Sequence, residues 1–289
     1  MATPRRTGLE QLVGRIDRRI VYLGLFFLTL APLVGRWSLP LYVTEPAVKL
    51  QRAIDALPTD KLVFISADWD AGSQAECQPQ LVAIARHLIR RNLKFAIISI
   101  GYPTSPQLAQ AAVQRAIDLE GARDRWKYGE QWVNLGYKIN EDAWLRSFTS
   151  SIPQAVTGDI NGTPVAAIPV LRGVEHFGPE GEVSMMIDIT GSDTNEKWYQ
   201  FLGPTRVQIG LGCTAVMAPK QYPYLDSGQL SGLLTGMKGA AEYEMLINAP
   251  GQGMPAMAGQ SFAHLYIFIL IALGNLSVVL GIWERRRGR

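Results

Sequence analysis

The chain has 289 residues, 47% apolar and 18% charged, which suffices for a sizeable core and excludes a disordered chain. Its net charge of +3 is unevenly placed: residues 1–19 carry five Arg against two acids and residues 284–289 four Arg against one, leaving a remainder of about −3. That remainder has no basic face for nucleic acid, and two cysteines, Cys77 and Cys213, exclude a disulfide scaffold. Free buried thiols are the plainer expectation for the pair, with one bridge left open for an exported domain.

In chain order, residues 1–19 place Leu9, Leu12, Val13, Ile16 and Ile20 at helical spacing, with Arg15, Arg18 and Arg19 opposite. This predicts a basic amphipathic helix at a cytoplasmic membrane surface. Residues 20–37 follow as a first transmembrane segment, sixteen uncharged residues from Ile20 to Gly35 and then Arg36 and Trp37. A cleaved signal peptide competes with an uncleaved anchor, but no small-x-small cleavage site follows, which favours the anchor.

Residues 38–248 read as an α/β domain. Leu62-Val63-Phe64-Ile65 is an apolar run without alternation, the pattern of a strand buried on both faces, and it breaks into Ser66-Ala67-Asp68-Trp69-Asp70-Ala71-Gly72-Ser73 before a helix from Glu76 to Asn92. Further strands are predicted at Leu93–Ile100, Trp132–Leu135, Val183–Ile189 and Val207–Leu211. Helices are predicted from Ser105-Pro106 to about Gly121, over Asn140–Phe148 and over Ser227–Asn248, with a long irregular excursion between Ser150 and Phe177. Strands alternating with helices predict a mostly parallel, doubly wound sheet of about five strands, Rossmann-like or flavodoxin-like.

Residues 249–261, rich in Gly, Pro and Met, predict a linker. Residues 262–283 predict a second transmembrane helix, with a basic cytoplasmic tail at 284–289. Arg-rich tails outside both spans place both termini in the cytoplasm and the domain outside it.

Three runs carry a resemblance: Asn134-Leu135-Gly136-Tyr137-Lys138, the segment from Gly212 to Pro219, and the segment from Gly236 to Glu244. They resemble those of uncharacterised bacterial membrane proteins with two terminal anchors and a central α/β domain. The resemblance implies a two-pass protein of the bacterial inner membrane, and brings no activity and no site residues.

Parallel strands would gather their carboxyl-end residues on one rim: Asp68, Trp69 and Asp70, then Tyr102, then Tyr137 and Lys138, then Ser192 and Asp193, then Cys213 and Thr214. Asp68, Asp70 and Asp193 are hard oxygen ligands suited to a divalent cation, the one cofactor this pattern suggests. Asp-x-Asp after a first strand resembles the phosphatase and mutase superfamily with an aspartyl nucleophile, but Gly72 stands where that family has Thr or Val, and no downstream acidic pair follows. The competing expectation is that these residues cap helices and turns. No nucleophile elbow, zinc motif or phosphate loop occurs.

Gly228, Gly232, Gly236 and Ala240 recur every four residues, and on the predicted helix they would form a ridge for close packing on the domain's own sheet or on another helix. In the second span, Gly274 and Gly281 share a face, and Asn275 would place an amide in hydrocarbon. The expected function is a membrane-anchored, non-catalytic subunit whose partners are the lipid bilayer and other membrane subunits or further copies of itself. The alternative is a metal-assisted hydrolase or phosphoryl-group enzyme using Asp68, Asp70 and Asp193.

Overall fold

The computed structural model of the protein describes residues 17–287, so the expected amphipathic segment through Ile16 lies outside the described residues, as do residues 288 and 289. The described residues form two compact units, residues 40–253 and residues 17–39 together with 254–287.

The first unit is built on six parallel strands: β1 (Leu62–Asp68), β2 (Phe95–Ser99), β3 (Trp132–Tyr137), β4 (Val183–Thr190), β5 (Gln208–Cys213) and β6 (Gly232–Thr235), in the order β3-β2-β1-β4-β5-β6. Every residue of β1 and β2 is buried, which explains the unbroken apolar runs: helices cover both faces. One face packs on α2 (Glu45–Asp55), α3 (Gln74–Arg90), α4 (Ser105–Leu119) and α9 (Gly236–Leu246), through Leu50, Ile84, Val113 and Tyr243. The other packs on α5 (Asp142–Ser150), α6 (Ile152–Ala155), α7 (Thr194–Leu202) and α8 (Ala218–Asp226), through Phe148, Trp198 and Leu225. Strand order reverses between β1 and β4. At that switch point, crossovers depart to opposite faces and the carboxyl ends of the strands open a crevice.

The doubly wound parallel sheet matches the expectation, but it has six strands, and the extra one falls inside the predicted helix Ser227–Asn248. Gly228 has φ of +79° in the turn after α8, Gly232 begins β6, and Gly236 opens α9 at φ +56°. The four-residue spacing therefore spans a turn, a strand and a helix start, and only Ala240 lies within a helix interior. The ridge does not exist. Gly232 instead lies against the Leu50 backbone of α2, where a β-carbon would collide. Tertiary packing against α2, a helix the sequence reading did not anticipate, decides this segment.

In the second unit, α1 (Arg18–Gly35) starts at Asp17, whose Oδ1 accepts the Arg19 amide at 2.9 Å, and α10 runs from Gly253 to Arg287. The expected linker 249–261 is thus helical from Gly253 onward. Both helices are long and apolar enough to cross a membrane. They pack on one another: Gly24 faces the Tyr266 ring, Gly259 faces the Thr29 carbonyl, and Trp37 meets Phe262 edge-on with ring centroids 5.8 Å apart. Gly274, by contrast, has nothing within 4 Å of where a β-carbon would stand, and Asn275 is exposed; Gly281 lies in the same helix.

Candidate functional site

The crevice is organised by β1. Side chains alternate along the strand, so Ser66 and Asp68 fall on the face that carries Leu62 and Phe64, one step beyond the apolar stretch. Asp68 is fully buried. Its Oδ1 accepts the backbone amides of Ile100 and Gly101, both at 2.7 Å, and the Ser99 hydroxyl at 2.9 Å, while its Oδ2 accepts the Ser66 hydroxyl at 2.5 Å. The carboxylate ties the end of β1 to the turn after β2, with Oδ1 fully engaged by three donors.

Asp188, which the sequence reading missed, sits one strand over. It pairs with Ser66 in the β1–β4 ladder, is fully buried, and neither oxygen has a hydrogen-bond partner. Burial first, and then the charge of Asp68, push its carboxyl well above the usual range, against a smaller opposing pull from the neighbouring Ser66 and Thr194 hydroxyls. Burial raises Asp68 too, but four donors oppose it. Of two coupled buried carboxyls, the one with well-formed donors holds the charge more readily, so the stronger upward push falls on Asp188. The signal was available: Asp188 follows the apolar run Met185-Met186-Ile187 inside a predicted buried strand, where an acid calls for a special environment.

Around Asp188 the same face collects further buried polar groups. The Tyr199 hydroxyl and Asn195 Nδ2 both donate to Gln221 Oε1, at 3.0 and 2.8 Å, leaving Asn195 Oδ1 and Gln221 Nε2 without partners. Thr214 is buried with its hydroxyl unpartnered. Cys213 is buried beside them, its thiol pushed up to about 12 by burial and by Asp188, so it is no nucleophile. Cys77 is likewise a free buried thiol, raised mainly by burial.

The remaining expected site residues divide. Asp70 Oδ1 accepts the amides of Gly72 and Ser73 at 3.0 and 3.1 Å and the Ser73 hydroxyl at 3.0 Å, bonds that lower its pKa. In nucleotide-binding proteins with doubly wound sheets, the amides of the first strand-to-helix turn hold a phosphate. Here the protein's own carboxylate occupies them, and Glu76 in the first turn of α3 binds the Ala215 amide at 2.8 Å. Two acids at this helix start oppose an anionic ligand. Trp69 is buried, while Tyr102 is half-buried and Tyr137 exposed at the rim. Lys138 is half-buried, its pKa lowered by burial against the pull of Asp159. The Ser192 amide and carbonyl both bond the Thr190 hydroxyl, and Asp193 is exposed, 3.4 Å from Lys220.

Asp68, Asp70 and Asp193 therefore do not form the expected metal site. Each carboxylate is engaged separately, and among the described residues no group of three His, Cys, Asp or Glu side chains is placed to hold a metal ion. His87 is committed to Tyr243 at 2.8 Å and Asp55 at 3.1 Å, and His176 to the Ser150 carbonyl at 2.9 Å. What the crevice offers is a latched, buried polar floor under a rim of exposed apolar side chains, among them Tyr137, Ile139 and Val216, the last 87% exposed.

No family model and no curated protein matches the chain. Among solved structures it is similar to an α,α-trehalose-phosphate synthase (UDP-forming) from Burkholderia vietnamiensis, with 12% identity and a TM-score of 0.33 over 85% of this chain; the match spans 48% of that protein, so the chain covers about half its length.

Proposed function

We propose that this chain is a non-catalytic binding subunit, held in the bacterial inner membrane by its two apolar helices and presenting the α/β domain outside the cytoplasm to other subunits of a membrane assembly. One observation carries the proposal: Asp68, the carboxylate at the switch point where this architecture places its chemistry, is fully buried and held by four donors of its own chain. The adjoining Asp70 is spent in the same way. Both serve as architecture, which leaves the rim for recognition. The Arg-rich ends of the sequence support cytoplasmic termini. On α10, the exposed Asn275 beside the uncovered Gly274 supports a further helix as neighbour, because an amide in hydrocarbon is costly without a partner.

Purification of the full chain in mild detergent, with mass measurement and identification of crosslinked companions, tests this. The expected result is a particle heavier than one chain plus its detergent that shrinks in Asn275→Leu. A monomer without companions would overturn the proposal, as would labelling of the N-terminal residues from outside the cell.

A further inference from the structure

A part-open cavity of about 260 Å³ lies at the amino end of β5, at the opposite end of the sheet from the crevice, walled by α7, the start of β5 and the turn between α8 and β6. Arg206, Gln208, Gln229, Ser231 and Tyr199 line it; Arg206 is the one charged side chain among the lining residues and makes no ion pair among the described residues.

Two features make this a prepared site. The wall is rigid: the Tyr199 hydroxyl is held by Gln221 at 3.0 Å and its ring packs on Tyr224 with centroids 4.6 Å apart. The cation is also placed at a cost. Arg206 closes a tight turn with its amide on the Gly203 carbonyl at 3.2 Å, and its φ is +57°, a left-handed conformation that suits glycine better.

We infer that this cavity binds a small hydroxylated carboxylate of sugar-acid size. The guanidinium fork of Arg206 matches a carboxylate in two-point geometry. Gln229 Nε2 donates to Ser227 at 3.2 Å, which leaves its amide oxygen to accept from a ligand hydroxyl, and Gln208 and Ser231 add further polar groups. The volume lies below the roughly 300–1,000 Å³ of drug-sized pockets, which limits the ligand to about a monosaccharide. A phosphate dianion fits less well, because a single cation with no second positive group faces it. The inference is independent of the subunit role proposed above.

Ligand-observed saturation-transfer NMR on the full chain in detergent tests it, with D-glucuronate as probe and D-glucose and inorganic phosphate as comparisons. Glucuronate is expected to bind at least about 10-fold more tightly than either, the factor that a charge-assisted pair supplies. Arg206→Gln should remove that advantage. Arg206→Gly should remove it too without lowering the melting temperature, since glycine relieves the left-handed backbone and loss of fold is then not the cause. Gln229→Trp, which fills the cavity, should abolish binding. Glucuronate binding no better than glucose, phosphate binding as well or better, or an advantage that survives Arg206→Gly would each overturn the inference.

Discussion

Asp188 lies opposite Ser66 in the β1–β4 ladder, yet the Ser66 hydroxyl is turned to Asp68, leaving Asp188 buried without a well-formed hydrogen bond. Both carboxyls are raised by burial, and the one left without a well-formed donor is raised further, an asymmetry with consequences for stability.

The first is a dependence on pH. Because the Asp188 carboxyl is raised above its ordinary value of 3.8 in the folded protein, folding favours its protonated form. Its contribution to stability is fully present below pH 3.8 and is lost progressively as the pH rises toward the folded-state value. Asp188→Asn removes the titration. The variant should melt higher than the wild type at pH 7, by about 2–4 °C for each kcal/mol relieved, and the gap should close as the pH falls toward 4. Thermal unfolding of both proteins across pH 4–8 checks this; a constant gap would refute the upward push on Asp188.

Removing the Asp68 side chain, by contrast, should destabilise the fold. Asp68→Ala leaves two amides and the Ser66 hydroxyl without their acceptor in a buried site, and should cost about 3–5 kcal/mol in urea unfolding of the α/β unit. If the residue were poised for chemistry rather than anchoring the turn after β2, its removal would leave stability nearly unchanged.

Gly232 tests whether its role is internal packing or assembly. A side chain there meets the backbone of Leu50, so even Gly232→Ala should destabilise the domain, by about 1–3 kcal/mol, and leave the particle size in detergent as it was. A smaller particle with unchanged stability would restore the intersubunit role that the four-residue spacing suggests.

Asp70→Ala should produce a modest loss of stability from the lost turn bonds, and millimolar Mg²⁺ or Ca²⁺ should leave the melting temperatures of wild type and variant unmoved. A divalent-dependent rise present in the wild type and absent in the variant would revive the metal site.

Both thiols, buried and with their pKa values raised, should resist a thiol reagent in the native protein and react together on unfolding. Fast native labelling of Cys213 would show that the crevice floor is open to solvent.

The sequence by itself determined the parallel, doubly wound architecture and the two apolar helices near the ends. A strand covered on both faces must be apolar throughout, as Leu62–Ile65 is, and a helix exposed along its length must be apolar all round to suit hydrocarbon; both patterns are local. It also placed Asp68, Asp70 and Asp193 at or just beyond the carboxyl ends of their strands, because such residues of parallel strands share a rim. What only the tertiary structure decided was the use of these residues. Whether Asp68 is free or held depends on Ser99, Ile100 and Gly101, which arrive from another strand, and the upward push on the Asp188 carboxyl depends on its burial and on the nearby charge of Asp68. The segment Gly228–Ala240 makes the same point from the other side. Its spacing fits a helix, yet Leu233 and Leu234 gain more by burial beside β5, and the glycines answer to a turn, a collision with Leu50 and a left-handed helix start, contacts that no local pattern encodes.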